Sequence, residues 1–232
     1  MTDIDFADAP SKIFGTVEAS VDLAEVVGND EAVKRGFSAL KQVPIRFYRD
    51  NVIACEGDPA EYIFFVVRGV VRSCRNFKVG VRNIAAFYLP GDFLGWTGLK
   101  HPLSIEAATD AEVLFIKRGA LLSLASQENR IAIFLLSATT KELERAQDHI
   151  SLMSKDSKCR VATFITNLWT RLGRAEYLDI PMSHQDIADH LCLTIETVSR
   201  AISDLERSKM ITRVSSKKLL IRNRLSLGHM LN

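Results

Sequence analysis

The chain has 232 residues, 47% of them hydrophobic, with 30 Lys and Arg against 28 Asp and Glu and a formal charge of +2. That length and apolar content support one large or two ordinary folded domains and exclude a chain disordered throughout. No run reaches the roughly 18 apolar residues of a membrane span, and Cys55, Cys74, Cys159 and Cys192, with no CxxC pair, indicate neither a disulfide framework nor a zinc finger.

Charge is unevenly placed. Residues 1–154 carry 17 basic and 20 acidic side chains, whereas residues 155–232 carry 13 and 8. The C-terminal third is therefore the part suited to phosphate, although a surplus of this size supports a nucleic-acid partner without establishing one. The acidic, polar start MTDIDFADAP lacks the basic-then-apolar order of a secretion signal, so a cytoplasmic location is expected.

Residues 1–40 form a polar, weakly patterned extension, with a short helix expected from Glu31 to Leu40 and mobility expected in the first dozen. From 41 to 126 short β-rich runs alternate with turn signals: Gly57-Asp58, then YIFFVVRGVVRS from Tyr62 to Ser73, Gly80, Pro90-Gly91-Asp92 and Gly95. Such runs, with glycines about ten residues apart, predict an all-β barrel or sandwich.

Residues 127–154 read as one long helix. Leu136, Leu143 and Ile150 recur every seven residues, with Thr139, Ala146 and Met153 between them and Lys141, Glu142, Glu144, Arg145 and Asp148 flanking. A heptad seam of this kind fits a parallel contact with a second copy of the helix, and also fits packing on the chain's own β-domain. Ser154–Ser157 is a candidate hinge, and Val161, Ile165, Leu168 and Leu172 supply the first core helix of a small domain spanning 155–232.

Within that domain, Ser183 is a candidate N-cap with Asp186 three residues on, and Ile187, Ala188 and Leu191 form an inward face. Thr194 is a second N-cap, followed by Val198, Ile202 and Leu205 at steps of four and three. The opposite face carries Glu196, Ser199, Arg200 and Ser203. One side is built to dock, and the other offers polar groups to base edges, where Arg pairs with guanine and Glu accepts from cytosine. The pattern alone also fits an ordinary amphipathic helix pair with a Glu196–Arg200 salt bridge. Ile211–Val214 and Leu219–Arg222, around Ser215-Ser216-Lys217-Lys218, predict a hairpin with a basic tip suited to phosphate.

T-I-E-T-V-S-R, from Thr194 to Arg200, resembles the DNA-reading segment of the CRP/FNR regulators and is closer to their FNR and FixK branch than to the cyclic-AMP branch. E-G-D (Glu56–Asp58), G-V-V-R (Gly69–Arg72), G-V-R (Gly80–Arg82) and P-G-D-F-L-G (Pro90–Gly95) resemble the cyclic-nucleotide-binding jelly roll of the same family. The two resemblances run in the family's order from about residue 43 onward. They imply an α+β chain: an N-terminal β jelly roll, a long dimerisation helix and a C-terminal winged helix-turn-helix. They also imply that Glu196 and Arg200 contact bases with Ser199 assisting. Ser183, Thr194, Thr197, Ser203, Lys217 and Lys218 are then backbone-contact candidates, with Arg207 and Lys209 weaker ones. Leu136, Thr139, Leu143, Ala146, Ile150 and Met153 would form the homodimer seam.

The chain departs from the family in five respects. Ile195 stands where the cyclic-AMP branch has a contacting Arg, so that role is not transferred. Cys192 stands where the family usually has Gly, so the turn is expected to be strained or differently shaped. The thiol there is either an inert structural group or an oxidation-sensitive one. Trp96 replaces the ribose-binding Glu, and no arginine lies between Arg82 and Arg118 to hold a cyclic phosphate, so cyclic nucleotide is not expected. No cysteine precedes Cys55, which argues against the FNR-type [4Fe–4S] cluster. Haem stays open only through His101, which reads more simply as a surface loop histidine.

The expectation is thus a cytoplasmic homodimeric transcription regulator without cofactor. The resemblance implies a TTGA-type inverted repeat and contact with RNA polymerase, more often in activation. The rival reading is a haem- or small-molecule-responsive sensor whose DNA binding requires ligand. No nucleophile–base pair, metal-ligand cluster or P-loop suggests an enzyme.

Overall fold

A computed structural model of the chain describes residues 16–17, 43–77, 82–96 and 98–222. The helix expected over Glu31–Leu40, the first dozen residues and Gly80 lie outside them. The chain separates into two compact units, residues 1–74 with 87–139, and residues 75–86 with 140–232. This division falls inside the long helix expected over 127–154.

The strands of the β-rich part are β1 (Thr16–Val17), β2 (Ile45–Phe47), β3 (Val52–Ala54), β4 (Tyr62–Arg68), β5 (Val71–Asn76), β6 (Arg82–Tyr88), β7 (Phe93–Leu94), β8 (Ser104–Ala107) and β9 (Ala111–Lys117). They form two sheets, β1-β2-β9-β4-β7 and β3-β8-β5-β6. The antiparallel β4–β9 ladder, from Tyr62↔Lys117 to Val66↔Val113, is the centre of the first. Ile63, Phe64, Phe65 and Val66 are all buried, so β4 is covered on both faces. A strand covered in this way has an unbroken apolar run in place of alternation. Gly69 cuts that run in two: it sits at φ +75°, and a Cβ there would lie 2.1 Å from the Asp110 carbonyl oxygen.

Arg72, which the turn motifs singled out, faces Glu106 across the β5–β8 ladder. Its Nε and Nη2 donate to Glu106 Oε2 at 2.9 and 2.7 Å, and Nη2 also donates to Asp50 Oδ1 at 2.9 Å. Both members of the cross-strand pair are buried, so each supplies the countercharge the other needs away from water.

Helix α1 (Arg118–Gln127) follows β9, and α2 (Asn129–Met153) follows it. Leu121, Ile131 and Leu135 join Ile63, Phe65, Phe93, Leu114 and Ile116 in one apolar cluster, with Trp96 and Phe134 packed against it. Helix α2 therefore packs through Ile131 and Leu135 at its start and Leu152 near its end, while the large residues of its heptad seam do not take part. Ile133, Leu136, Leu143 and Ile150 are 58–71% exposed. Thr139 and Ala146 are also exposed, and Met153 is half-buried.

In the second unit, α3 (Ser157–Arg171), β10 (Tyr177–Asp179), α4 (His184–Leu191), α5 (Ile195–Arg207), β11 (Ile211–Ser215) and β12 (Lys218–Ile221) follow in order. Asp156 caps α3 by accepting from the Lys158 and Cys159 amides at 2.9 and 3.0 Å, and the Cys159 amide is the main reason its carboxyl is held below the usual range. Val161, Ile165 and Leu168 are buried as the spacing predicts. Leu172 is not: it caps the helix at 41% exposure, and Trp169 takes the core position, its Nε1 donating to the Ala175 carbonyl at 2.6 Å. The expected hairpin is present as β11 and β12, and β10 adds a third strand in the order β10-β12-β11. No helix among the described residues is long and apolar enough to cross a membrane.

Candidate DNA-reading site

Helix α4 starts where its cap residues dictate. Ser183 Oγ accepts from the Asp186 amide at 3.0 Å, while Asp186 Oδ2 accepts from the Ser183 amide and hydroxyl at 3.2 and 2.7 Å, a complete capping box. The helix ends at Cys192, in the left-handed region at φ 53°, ψ 48°, so of the two expectations for this turn, strained or differently shaped, it is the strained one that holds. The chain thus keeps the glycine geometry with a Cβ present, at a cost of about 1 kcal/mol or more.

Thr194 then caps α5, its Oγ1 accepting from the Thr197 amide at 3.3 Å. Val198, Ala201, Ile202 and Leu205 are buried, as are Ile187, Ala188 and Leu191 of α4. This leaves Glu196 and Arg200 exposed on the opposite side, with Ser199 and Ser203 half-buried beside them. Glu196 is held below the ordinary carboxylate range, first by its own backbone amide, then by the Thr194 hydroxyl and the Arg200 charge. It stays ionised and able to accept. Arg200 does not form the salt bridge considered from the sequence; its Nη2 donates to Thr197 Oγ1 at 3.4 Å, so Glu196 and Arg200 are presented separately.

The other predicted contacts divide. Thr194 and Lys217 are exposed, and Ser183 and Thr197 are half-buried at the two caps. Ser203 Oγ donates back to the Ser199 carbonyl at 3.0 Å, which turns its proton into the helix. Lys218 lies over the Tyr177 ring at 5.2 Å, a cation–π contact that holds it on its own sheet. Arg207 pairs with Asp204 at 3.0 Å, and Lys209 occupies the left-handed region at φ 56°.

Two arginines escaped the sequence reading. Arg213, on β11, is exposed; its amide donates to Glu206 Oε1 at 2.8 Å and its Nη2 comes within 3.5 Å of Ser203 Oγ, which puts a cation beside the presented face. Arg160, on α3, donates to the carbonyls of Lys155, Met153 and Leu191 at 2.8, 2.6 and 3.1 Å. It closes the Ser154–Ser157 segment against the end of α4. Neither has a local sequence signal, because each depends on partners brought near by the fold.

The β-rich unit places two other predicted residues. His101 is not a surface histidine: it is 4% exposed, its ring 5.6 Å from that of Phe64, and burial is the main cause of its lowered pKa. Trp96 packs on Phe93 with ring centroids 5.9 Å apart, and its buried Nε1 has no hydrogen-bond partner.

Comparisons with known proteins agree with this geometry. The family model described as a Crp-like helix-turn-helix domain matches residues 159–230, and that of the cyclic nucleotide-binding domain matches residues 44–128. The chain is 37% identical over 214 residues to the nitrogen fixation regulation protein FixK of Azorhizobium caulinodans, covering 89% of this chain and 86% of that one. It is 34% identical to the transcriptional activatory protein AadR of Rhodopseudomonas palustris, with 72% of each covered. The solved structure of FixK2 from Bradyrhizobium japonicum superposes with a TM-score of 0.77 at 38% identity, covering 82% of this chain and 96% of that one. An exposed Glu and Arg on a capped helix, the two matched domains and this similarity along most of the chain lead to one assignment: the protein belongs to the CRP/FNR family of DNA-binding transcription regulators, on its FixK-like side.

Proposed function

We propose that the protein is a cytoplasmic homodimeric activator that reads a TTGA-type inverted repeat in promoter DNA and engages RNA polymerase there. The observation that carries this reading is the separation on α5 of a buried apolar face from an exposed Glu196 and Arg200. A carboxylate and a guanidinium, presented apart, accept from cytosine and donate to guanine in the major groove. The relatives named as activators support the direction of control. The seam of α2 supports dimerisation, since its three large apolar side chains Leu136, Leu143 and Ile150, seven residues apart, are exposed in the protomer. Two-fold pairing sets the two recognition helices about 34 Å apart, one turn of duplex.

The residues do not fit a cyclic nucleotide. Trp96, with its unpartnered Nε1, stands where a ribose-binding carboxylate is required, and no arginine falls between Arg82 and Arg118 to face a phosphate. The reading therefore assigns no cofactor, and no catalysis. The rival haem- or ligand-dependent sensor draws on His101 alone, whose ring is packed on Phe64. A purified protein that showed a visible absorbance band, or bound its operator only with an added ligand, would favour that rival.

The test is base preference in a fluorescence-anisotropy titration. Arg200→Ala is expected to lose roughly 1–3 kcal/mol per contact and to relax preference at one base pair of each half-site. Equal weakening on every duplex would make Arg200 a phosphate contact and overturn its assignment.

A further inference from the structure

Three consecutive residues of β6, none with a part in the presented face, end on the first helix of the helix-turn-helix. Arg82 spreads its guanidinium across two carboxylates, Nη2 to Asp186 Oδ1 at 2.5 Å and Nε to Asp189 Oδ2 at 2.8 Å. Asn83 Nδ2 donates to Cys192 Sγ at 3.4 Å. The Ile84 carbonyl accepts from His190 Nδ1 at 2.9 Å, which requires that nitrogen to carry the ring proton. These anchors run from the first turn of α4 to the turn residue that leads into α5. Residues 75–86 also belong to the same compact unit as residues 140–232, so the contacts are internal to the DNA-reading unit.

The chemistry of Asp186 gives Arg82 its importance. Asp186 is 1% exposed, and its Oδ2 is already committed to the amide and hydroxyl of Ser183. A carboxylate so placed needs a cation on its remaining oxygen, and Arg82, itself 23% exposed, supplies one. Removing that cation weakens the hold on a carboxylate that also forms the capping box, and so loosens the box that fixes Ser183 and the start of α4. Because α4 and α5 share a buried face and a single left-handed turn, the tilt of α4 is passed to the helix that carries Glu196 and Arg200. Asp189, 13% exposed and also accepting from Gln185 at 2.7 Å, is the second anchor.

We infer that Arg82–Asn83–Ile84 is a bracket that sets the helix-turn-helix for reading, with Arg82 a positioning residue that acts through Asp186 and Asp189 and not by touching DNA. This rests on the assignment of α5 as the DNA-reading helix. A bracket predicts a loss confined to the cognate site, because non-specific binding depends on phosphate charge and not on alignment with base edges.

The test uses the full chain in anisotropy titrations on two duplexes, a TTGA inverted repeat and a scrambled sequence of equal composition, across a salt series. Arg82→Ala is expected to weaken cognate binding about tenfold or more, to change scrambled binding less than about threefold, and to leave the salt slope unchanged. Adding Asp189→Asn to Arg82→Ala is expected to cost less than Asp189→Asn does alone, because the partner is already gone. Equal loss on both duplexes with a salt slope smaller by about one overturns the bracket in favour of a phosphate contact. A lower melting temperature with cognate preference intact overturns it in favour of a purely structural role. Should Arg82→Ala fail to fold, Arg82→Lys keeps the charge but not the fork; a smaller selective loss supports the bracket, and full selectivity overturns it. Wild-type protein that shows no cognate preference overturns the DNA-reading assignment itself, and the bracket with it.

Discussion

Cys192 carries the backbone strain of the turn between α4 and α5. Its φ of 53° is a conformation that Gly adopts freely and a residue with a Cβ does not, and its exposed thiol accepts from Asn83. Cys192→Gly is expected to relieve about 1 kcal/mol, raising the melting temperature by roughly 2–4 °C for a chain of this length, less the entropy an added Gly costs. We propose that oxidation of this thiol, by adding charge and bulk at the turn, disturbs docking on DNA. Peroxide should then weaken operator binding of wild type and leave Cys192→Gly unaffected; equal loss in both proteins would assign the damage elsewhere.

At the scale of elements, the legible parts were those whose signal is local. Caps at Ser183 and Thr194, the apolar steps Val198, Ile202 and Leu205, and the turns at Gly57, Gly69 and Gly91 all depend on neighbours within a few residues, and all stand where the spacing put them. What escaped depends on distant partners. Arg82 meets Asp189 across 107 positions and Asp186 across 104, so nothing in G-V-R suggests more than a turn. Leu172 continued the period of α3 correctly, but the helix ended there and Trp169 took the core place; periodicity cannot show where a helix stops. His101 looked like a loop residue and is buried, because a loop can be covered by the sheet beside it. For α2 the period was legible and its meaning was not: Ile131 and Leu135 take the intramolecular packing, while Leu143 and Ile150 stay exposed. Leu143→Arg is expected to raise the dimer dissociation constant at least about a hundredfold, the cost of burying an unpaired charge in a helix seam. Sedimentation velocity checks this, and an unchanged dimer would move the interface off the seam.

For the molecule as a whole, folding stability should depend on pH through a half-buried histidine pair in the second unit. His190 stacks on His149 with centroids 4.5 Å apart and meets Phe164 edge-on at 5.7 Å. Burial first, and then the neighbouring His149, push its pKa down to about 4, while burial lowers that of His149. With the folded pKa below the unfolded value of about 6.5, the unfolded chain binds the proton first. Stability is therefore complete above about pH 6.5 and falls as pH drops toward 4, by up to about 3 kcal/mol for His190. Urea unfolding at pH 7.5 and pH 5 should show this loss, and His190→Phe should reduce it; a wild-type midpoint that did not move would rule it out. The larger claim is that two copies of α5, held one helical turn apart, read a two-fold site. Its most direct measurement is the affinity of the purified protein for a TTGA inverted repeat, compared with the same half-sites separated by five more base pairs, about half a turn of duplex. Binding to the extended site is expected to be at least about a hundredfold weaker, because only one half-site can then be engaged. Equal affinity for the two duplexes would contradict it.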